Sequence, residues 1–130
     1  MGLNKVLITG TVVSVENKSF AQGGKVAVIV LKVDDKKWDS TIRAMVDVAY
    51  DLPFEAFNSK INPLADKASG LKPGDFIMID GKVRLDQWKD QRNGEARSRL
   101  KMGVENFEVV GKSMQVGSDA IPGDDLGDRF

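Results

Sequence analysis

Between Phe76 and Leu85 the chain alternates with a period of two. Ile77, Ile79, Val83 and Leu85 share one side of an extended backbone, and Asp80, Lys82 and Arg84 share the other. Successive side chains of a β-strand point to opposite faces, so this pattern predicts a strand with one face on a core and one in water. The pattern returns from Arg97 to Val110, with Leu100, Met102 and Val104 on one side and Arg97, Arg99 and Lys101 on the other. Between the two runs, residues 86–96 are polar and hold Asn93-Gly94, a strong hairpin-turn dipeptide. The fold must therefore be built around a hairpin with an apolar face and a basic face.

The rest of the chain supplies partners for that hairpin. Lys5 to Val15 is rich in Val, Ile and Thr and predicts a first strand, with Gly10 marking a bulge or sharp bend. Residues 16–24 form a polar loop ending in Gly23-Gly24. Lys25 to Val33 is almost continuously apolar, as a central strand buried on both faces would be. Asp34 to Lys37 is then a tight polar connection, and Lys37 to Val48 a third strand. Leu52 to Phe57 opens a short helix with Pro53 in its first turn. Asn62 to Gly70 is a second helical stretch, with Asn62 as cap, Pro63 at the first position and Gly70 as the stop. Lys72-Pro73-Gly74-Asp75 is a turn into the fourth strand. Five strands with a helical insert between the third and fourth define an all-β chain, an OB-fold, which is a five-stranded Greek-key barrel. An SH3-like barrel or a small sandwich is the alternative arrangement of the same elements.

At 130 residues the chain is the size of one domain and long enough to bury a core without cross-links. Formal net charge is zero, but the charges are not evenly spread. Residues 82–101 hold seven Lys and Arg against three acids. Residues 113–130 hold only Arg129 against Asp119, Asp124, Asp125 and Asp128. The expected organisation is a domain over residues 1–112 followed by a disordered acidic tail over 113–130. A basic stretch of this density suits a polyanionic partner, although a solvated surface has the same composition.

Several functions are excluded by residue type. The chain has no cysteine and no histidine, which removes disulfides, thiolate or imidazole metal sites, and Ser-His or Cys-His nucleophilic catalysis. Asp34-Asp35 and Asp124-Asp125 are adjacent carboxylates that diverge from one another, so they read as solvated loop residues rather than as an acid/base pair. No Gly-rich loop leads into a helix to cradle a phosphate. The expectation is a protein that is not an enzyme and carries no cofactor or metal. The longest apolar run, Val26 to Leu31, is too short to span a bilayer, and the first residues lack a signal-peptide pattern, so a cytoplasmic location is expected.

The basic hairpin face offers a groove for a nucleic acid. Side chains two apart on a strand lie about 7 Å apart, close to the phosphate spacing of an extended single strand. Lys82 and Arg84 on one strand and Arg97, Arg99 and Lys101 on the other can track such a backbone, with Lys89 nearby in the connection. Five phosphate contacts predict a fall of log K with log salt of slope about −3.5. Trp88 continues the parity of Lys82 and Arg84 among polar neighbours. It is either a platform for base stacking or a residue that folds back onto the barrel or into a subunit contact. Trp38 aligns with Ile42, Val46 and Val48, and stacking and core packing are both open to it. Phe20, beside Lys18 in a polar loop, is a further stacking candidate. Tyr50, Phe54 and Phe57 are expected to pack the helical insert onto the barrel.

Three stretches of the chain resemble the bacterial-type single-stranded DNA-binding protein (SSB) family. Asn4-Lys5-Val6-Leu7-Ile8-Thr9-Gly10 is similar to its opening strand, and Gln22-Gly23-Gly24-Lys25-Val26-Ala27-Val28 to its first hairpin turn and second strand. Gly74 to Arg84, followed by Gln87-Trp88-Lys89-Asp90-Gln91, Gly94, Arg97 and Met102, resembles its fourth strand, long hairpin and fifth strand. The resemblance implies that Trp88, Trp38 and Phe20 fall on base-stacking positions. It also implies a homo-oligomer, a tetramer or dimer, of OB-folds bound to single-stranded DNA. The family's acidic tail ends in a hydrophobic tip that recruits replication and repair proteins. Asp124, Asp125, Asp128 and the terminal Phe130 are similar in character.

The sequence reading is thus a nucleoid-associated protein that binds single-stranded DNA with little sequence preference during replication, recombination and repair. An OB-fold protein for RNA or for junctions is one rival. A module serving assembly alone is the other.

Overall fold

The computed structural model describes residues 2–21 and 23–112. Five strands and one short helix run in the order β1 (Val6–Ser19), β2 (Lys25–Asp39), β3 (Ala44–Phe57), α1 (Leu64–Ala68), β4 (Phe76–Lys89) and β5 (Ala96–Gly111). The strands close into a barrel in the order β1-β2-β3-β5-β4. This is the five-stranded OB architecture, and its helix lies between β3 and β4 as expected.

β1 is shared between two partners, which is how one strand helps to close the barrel. Its first half pairs antiparallel with β4, from Val6↔Gly81 to Thr11↔Phe76, and its second half with β2, from Thr11↔Lys32 to Ser19↔Lys25. Gly10 lies just before this hand-over, and the bulge falls slightly later, between Val12 and Ser14. The last seam is a parallel bridge between Glu55 of β3 and Gly103 of β5. Gly81 is required close to that seam. A Cβ there would stand 2.1 Å from the carbonyl oxygen of Gly103.

The core follows strand parity. Ala27, Ile29 and Leu31 of β2, Phe54 and Ala56 of β3, Ile77 and Ile79 of β4, Val12 and Val104 are buried inside the barrel. Leu64, Ala65 and Ala68 of α1, with Leu71, close over the same cluster. Pro63 stands at the N-cap rather than at the first helical position expected for it, and Asn62 makes no cap. Its side chain instead accepts a hydrogen bond from Lys67 Nζ at 2.9 Å.

Three boundaries differ from the sequence reading. Asp34 to Lys37 is not a connection; it lies within β2, paired residue for residue with Ala49 to Val46. The turn falls at residues 40–43, where the Asp39 side chain accepts from the Thr41 amide at 2.8 Å and Arg43 has φ 55°. A two-stranded ribbon beyond the barrel has water on both faces, so a run of four charges is as compatible with strand as with loop. Leu52 to Phe57 is not helical; it is the second half of β3. Pro53 is tolerated because β3 has only the single bridge to β5 on its other side, leaving an edge where a missing N–H costs nothing. The connection after β4 is shorter than 86–96, since β4 runs to Lys89 and β5 begins at Ala96.

Candidate nucleic-acid interface

Strand register decides which side chains share a face. In the β4–β5 hairpin Lys82 stands opposite Gly103, Arg84 opposite Lys101, Asp86 opposite Arg99 and Trp88 opposite Arg97. Directly opposed residues of an antiparallel pair lie on the same side of the sheet. Lys82, Arg84, Trp88, Arg97, Arg99 and Lys101 therefore form one outer face, as their alternation foretold. The other face carries Val83, Leu85, Leu100 and Met102. It begins as barrel interior and becomes exposed at Leu85 and Leu100, where the hairpin runs beyond the barrel.

The hairpin tip is a short, well-bonded turn. Asp90 Oδ1 accepts from the Arg92 amide at 2.9 Å, and its Oδ2 accepts from Arg97 Nε at 3.1 Å. Gly94 takes φ 72°, the left-handed conformation that its Asn-Gly position called for. Trp88 sits beside this tip and is 46% exposed, with Lys89 and Arg97 around the same shallow depression. Lys89 has the opposite parity and borders the face rather than lying on it.

β3 extends the face. Phe54 and Ala56 point into the core, so Glu55 and Phe57 point out. Phe57 is 40% exposed, and its ring stacks on Phe20 with centroids 6.5 Å apart and planes at 14°. The Arg84 guanidinium lies 5.5 Å from the Phe57 ring centre, a cation–π contact. Glu55 bonds both Arg84 and Lys101. Phe57 thus lies on the outer face instead of packing the helix onto the barrel, and Glu55, which no sequence motif singles out, stands beside it. The signal was present in Leu52 to Phe57, where buried Phe54 and Ala56 alternate with outward Glu55 and Phe57; Pro53 concealed it.

Trp38 closes β2 instead of opening β3, paired with Met45. Its parity is that of Val28 and Lys32, opposite to buried Ile29 and Leu31, and it is 57% exposed. The core alternative is thereby removed. Val46 and Val48, which the sequence had aligned with Trp38, pair with Lys37 and Asp35 on the other side of the ribbon. Tyr50 lies on that ribbon as well, and Phe54 is in the core. Asp124, Asp125, Asp128 and Phe130 lie outside the described residues.

The face is not uniformly basic. Arg84 and Lys101, half-buried, are each bonded to Glu55 and Asp86. The hydrogen bond from Arg84 holds the Asp86 carboxyl below its ordinary range, so the pair stays ionised at neutral pH. Lys82, Arg97 and Arg99 are more exposed, and of these Arg97 carries the ion pair to Asp90. No cluster of three or more metal-ligating side chains occurs among the described residues. No helix among them is long and apolar enough to cross a membrane.

The closed five-stranded barrel is an OB-fold, and its aromatic and cationic groups lie along β3, β5, the β1–β2 turn and the β4–β5 hairpin. The chain belongs to the single-strand binding protein family, whose model matches residues 3–110. Among solved structures, it is similar to an SSB of Plasmodium falciparum in complex with single-stranded DNA. That match has TM-score 0.62 and 18% identity and covers 85% of this chain and 96% of that one. It is similar also to a deletion mutant of the single-stranded DNA binding protein of Thermus aquaticus, with TM-score 0.67 and 20% identity, over 84% of this chain and 51% of the other. The protein PriB of Ralstonia solanacearum has the same fold, with TM-score 0.57 and 13% identity, over 84% and 99% of the two chains.

Proposed function

We propose that this protein binds single-stranded DNA with little base preference along the outer face of β4, β5 and β3, and protects it during replication, recombination and repair. The observation that carries this is the register: Trp88 and the cations Lys82, Arg84, Arg97, Arg99 and Lys101 share one face of one hairpin. Phosphate contacts give affinity without sequence information, and a ring stacks on any base, so the two together make a sequence-tolerant site. Phe20 and Phe57 continue the platform, Lys89 borders it, and Trp38 extends it along the other hairpin. None of these roles requires bond-making chemistry, a cofactor or a metal.

Tryptophan fluorescence titrated with oligo-dT and oligo-U tests the reading. Quenching by oligo-dT at lower concentration than by oligo-U supports it. Preference for oligo-U favours an RNA-binding role, and no quenching by either favours an assembly module. The family membership supports an oligomer of this chain, and the exposed apolar residues Leu7, Phe76 and Val110 outside the barrel supply surface for it. Light scattering of the purified protein measures that directly. Recruitment of replication and repair proteins through Asp124, Asp125, Asp128 and Phe130 rests on their acidic and aromatic chemistry; deletion of residues 119–130 should abolish it and leave the barrel folded.

A further inference from the structure

Arg84 and Lys101 are the most shielded cations of the proposed face, and each faces the same two carboxylates. Glu55 Oε1 accepts from Arg84 Nη2 at 2.5 Å and Oε2 from Lys101 Nζ at 3.2 Å. Asp86 Oδ1 accepts from Arg84 Nε at 2.9 Å, and its Oδ2 lies 3.4 Å from Lys101 Nζ. The four groups make a closed ring of alternating charge whose net charge is zero. The Arg84 and Lys101 side chains are 33% and 30% exposed against 50% for Arg97, so salt screens this ring less than it screens the pair at the hairpin tip. The backbone fixes the ring's position. Glu55 is the β3 residue of the parallel bridge that closes the barrel, and Lys101 lies two residues before its β5 partner.

A carboxylate and a phosphate compete for the same N–H donors. A strand laid on this face therefore meets Lys82 and Arg99 as cations unpaired among the described residues, Arg97 in a single pair with Asp90 at the exposed tip, and Arg84 and Lys101 as cations each held by two carboxylates. We infer that Glu55 and Asp86 are built-in counterions that withhold Arg84 and Lys101 from the DNA phosphates, and so set how tightly the protein grips a single strand and how steeply that grip falls with salt. Arg84 keeps a different use, as a guanidinium held over Phe57. The inference rests on the proposed DNA-binding function and adds the device that limits it: a protein that must be displaced from DNA is helped by a site that neutralises part of its own charge.

Salt dependence reads the device directly. Each phosphate neutralised on a single strand contributes a slope of about −0.7 to log K against log salt. Lys82 and Arg99, with Arg97 exchanging its exposed pair to Asp90 for a phosphate, give the wild-type protein a slope of about −2. The double variant Glu55→Gln, Asp86→Asn frees two more, and its slope should steepen by about 1.4, with affinity for oligo-dT rising up to about 25-fold at 0.1 M salt. Asp86→Asn alone leaves the barrel seam intact and should give about half the change in slope. Circular dichroism establishes that each variant is folded, and the Asp86 variant alone decides the matter if Glu55→Gln fails to fold. An unchanged slope overturns the inference, and so does weaker binding, which would make the carboxylates organisers of the cations for DNA. Wild-type protein that fails to bind oligo-dT overturns the underlying function, a result distinct from both.

Discussion

Two hairpins extend past the barrel, β2–β3 and β4–β5, and they are built alike. In each, the distal half pairs only within itself: β2 leaves β1 at Lys32, and β4 leaves β1 at Gly81. Each bears a half-exposed tryptophan on its outward parity, Trp38 and Trp88. Their charge differs. Residues 32–51 hold four Lys and Arg against five Asp, whereas residues 82–101 hold seven against three. The ion pairs differ in the same sense. Lys36 and Asp47 cancel in open water on the first arm, while on the second Lys82 and Arg99 stay exposed and form no ion pair among the described residues. The same ribbon thus serves as an anionic or a cationic surface, according to which residues fill its outward positions. Under the proposed function, the β4–β5 arm would be the main track for a polyanion and the β2–β3 arm would contribute mainly through Trp38.

The largest effect should come from removing cations. Replacing Lys82, Arg97 and Arg99 together by Ala should lower oligo-dT affinity about a hundredfold at 0.1 M salt and flatten the salt slope towards zero. The same treatment of Lys32, Lys36 and Lys37 should change both little. Equal losses from the two triple variants, measured by fluorescence titration, would erase the distinction between the arms. Next comes stacking. Trp88→Ala should cost about 1–3 kcal/mol, roughly five- to 150-fold in affinity, with Trp88→Phe costing less. Trp38→Ala should cost less than Trp88→Ala, and the reverse order would move the DNA path onto the β2–β3 arm. Neither change should shift the melting temperature appreciably, because both rings are largely outside the core.

Smaller effects bear on the arms as structures. Gly94→Ala should destabilise the β4–β5 turn by about 1 kcal/mol, since a side chain at φ 72° is strained even where nothing crowds it. Hydrogen exchange of amides near the tip should rise, with the barrel amides unaffected. Asp47→Asn should be smallest. It breaks the Lys36–Asp47 pair, which lies fully in solvent, and thermal unfolding should not register the loss. A marked fall in melting temperature there would mean that the β2–β3 arm is more than a solvated ribbon.

How far the sequence could be read depended on whether both faces of a segment met the same environment. β4 and β5 have one face towards the core and one towards water, and their alternation gave the strands, the turn at Asn93-Gly94 and the shared face of Trp88 with its cations. β2 and β3 beyond the barrel have water on both sides, so Asp34 to Lys37 looked like a loop and the turn was placed about six residues early. Pro53 looked like the start of a helix because sequence alone does not show which strand has an unpaired edge. That misreading hid Phe57 and Glu55.

What the sequence determined by itself is local: strand parity, the left-handed glycine at the hairpin tip, the helix after Pro63, the basic density of residues 82–101 and the absence of cysteine and histidine. Only the tertiary structure decided which cations are available. Glu55 lies 29 residues from Arg84 and 46 from Lys101, and they meet because β3 and β5 close the barrel at Glu55 and Gly103. The physical reason is range. Alternation and turn chemistry act between neighbours along the chain, whereas an ion pair depends on distance in space, which the chain acquires only when the sheet closes on itself.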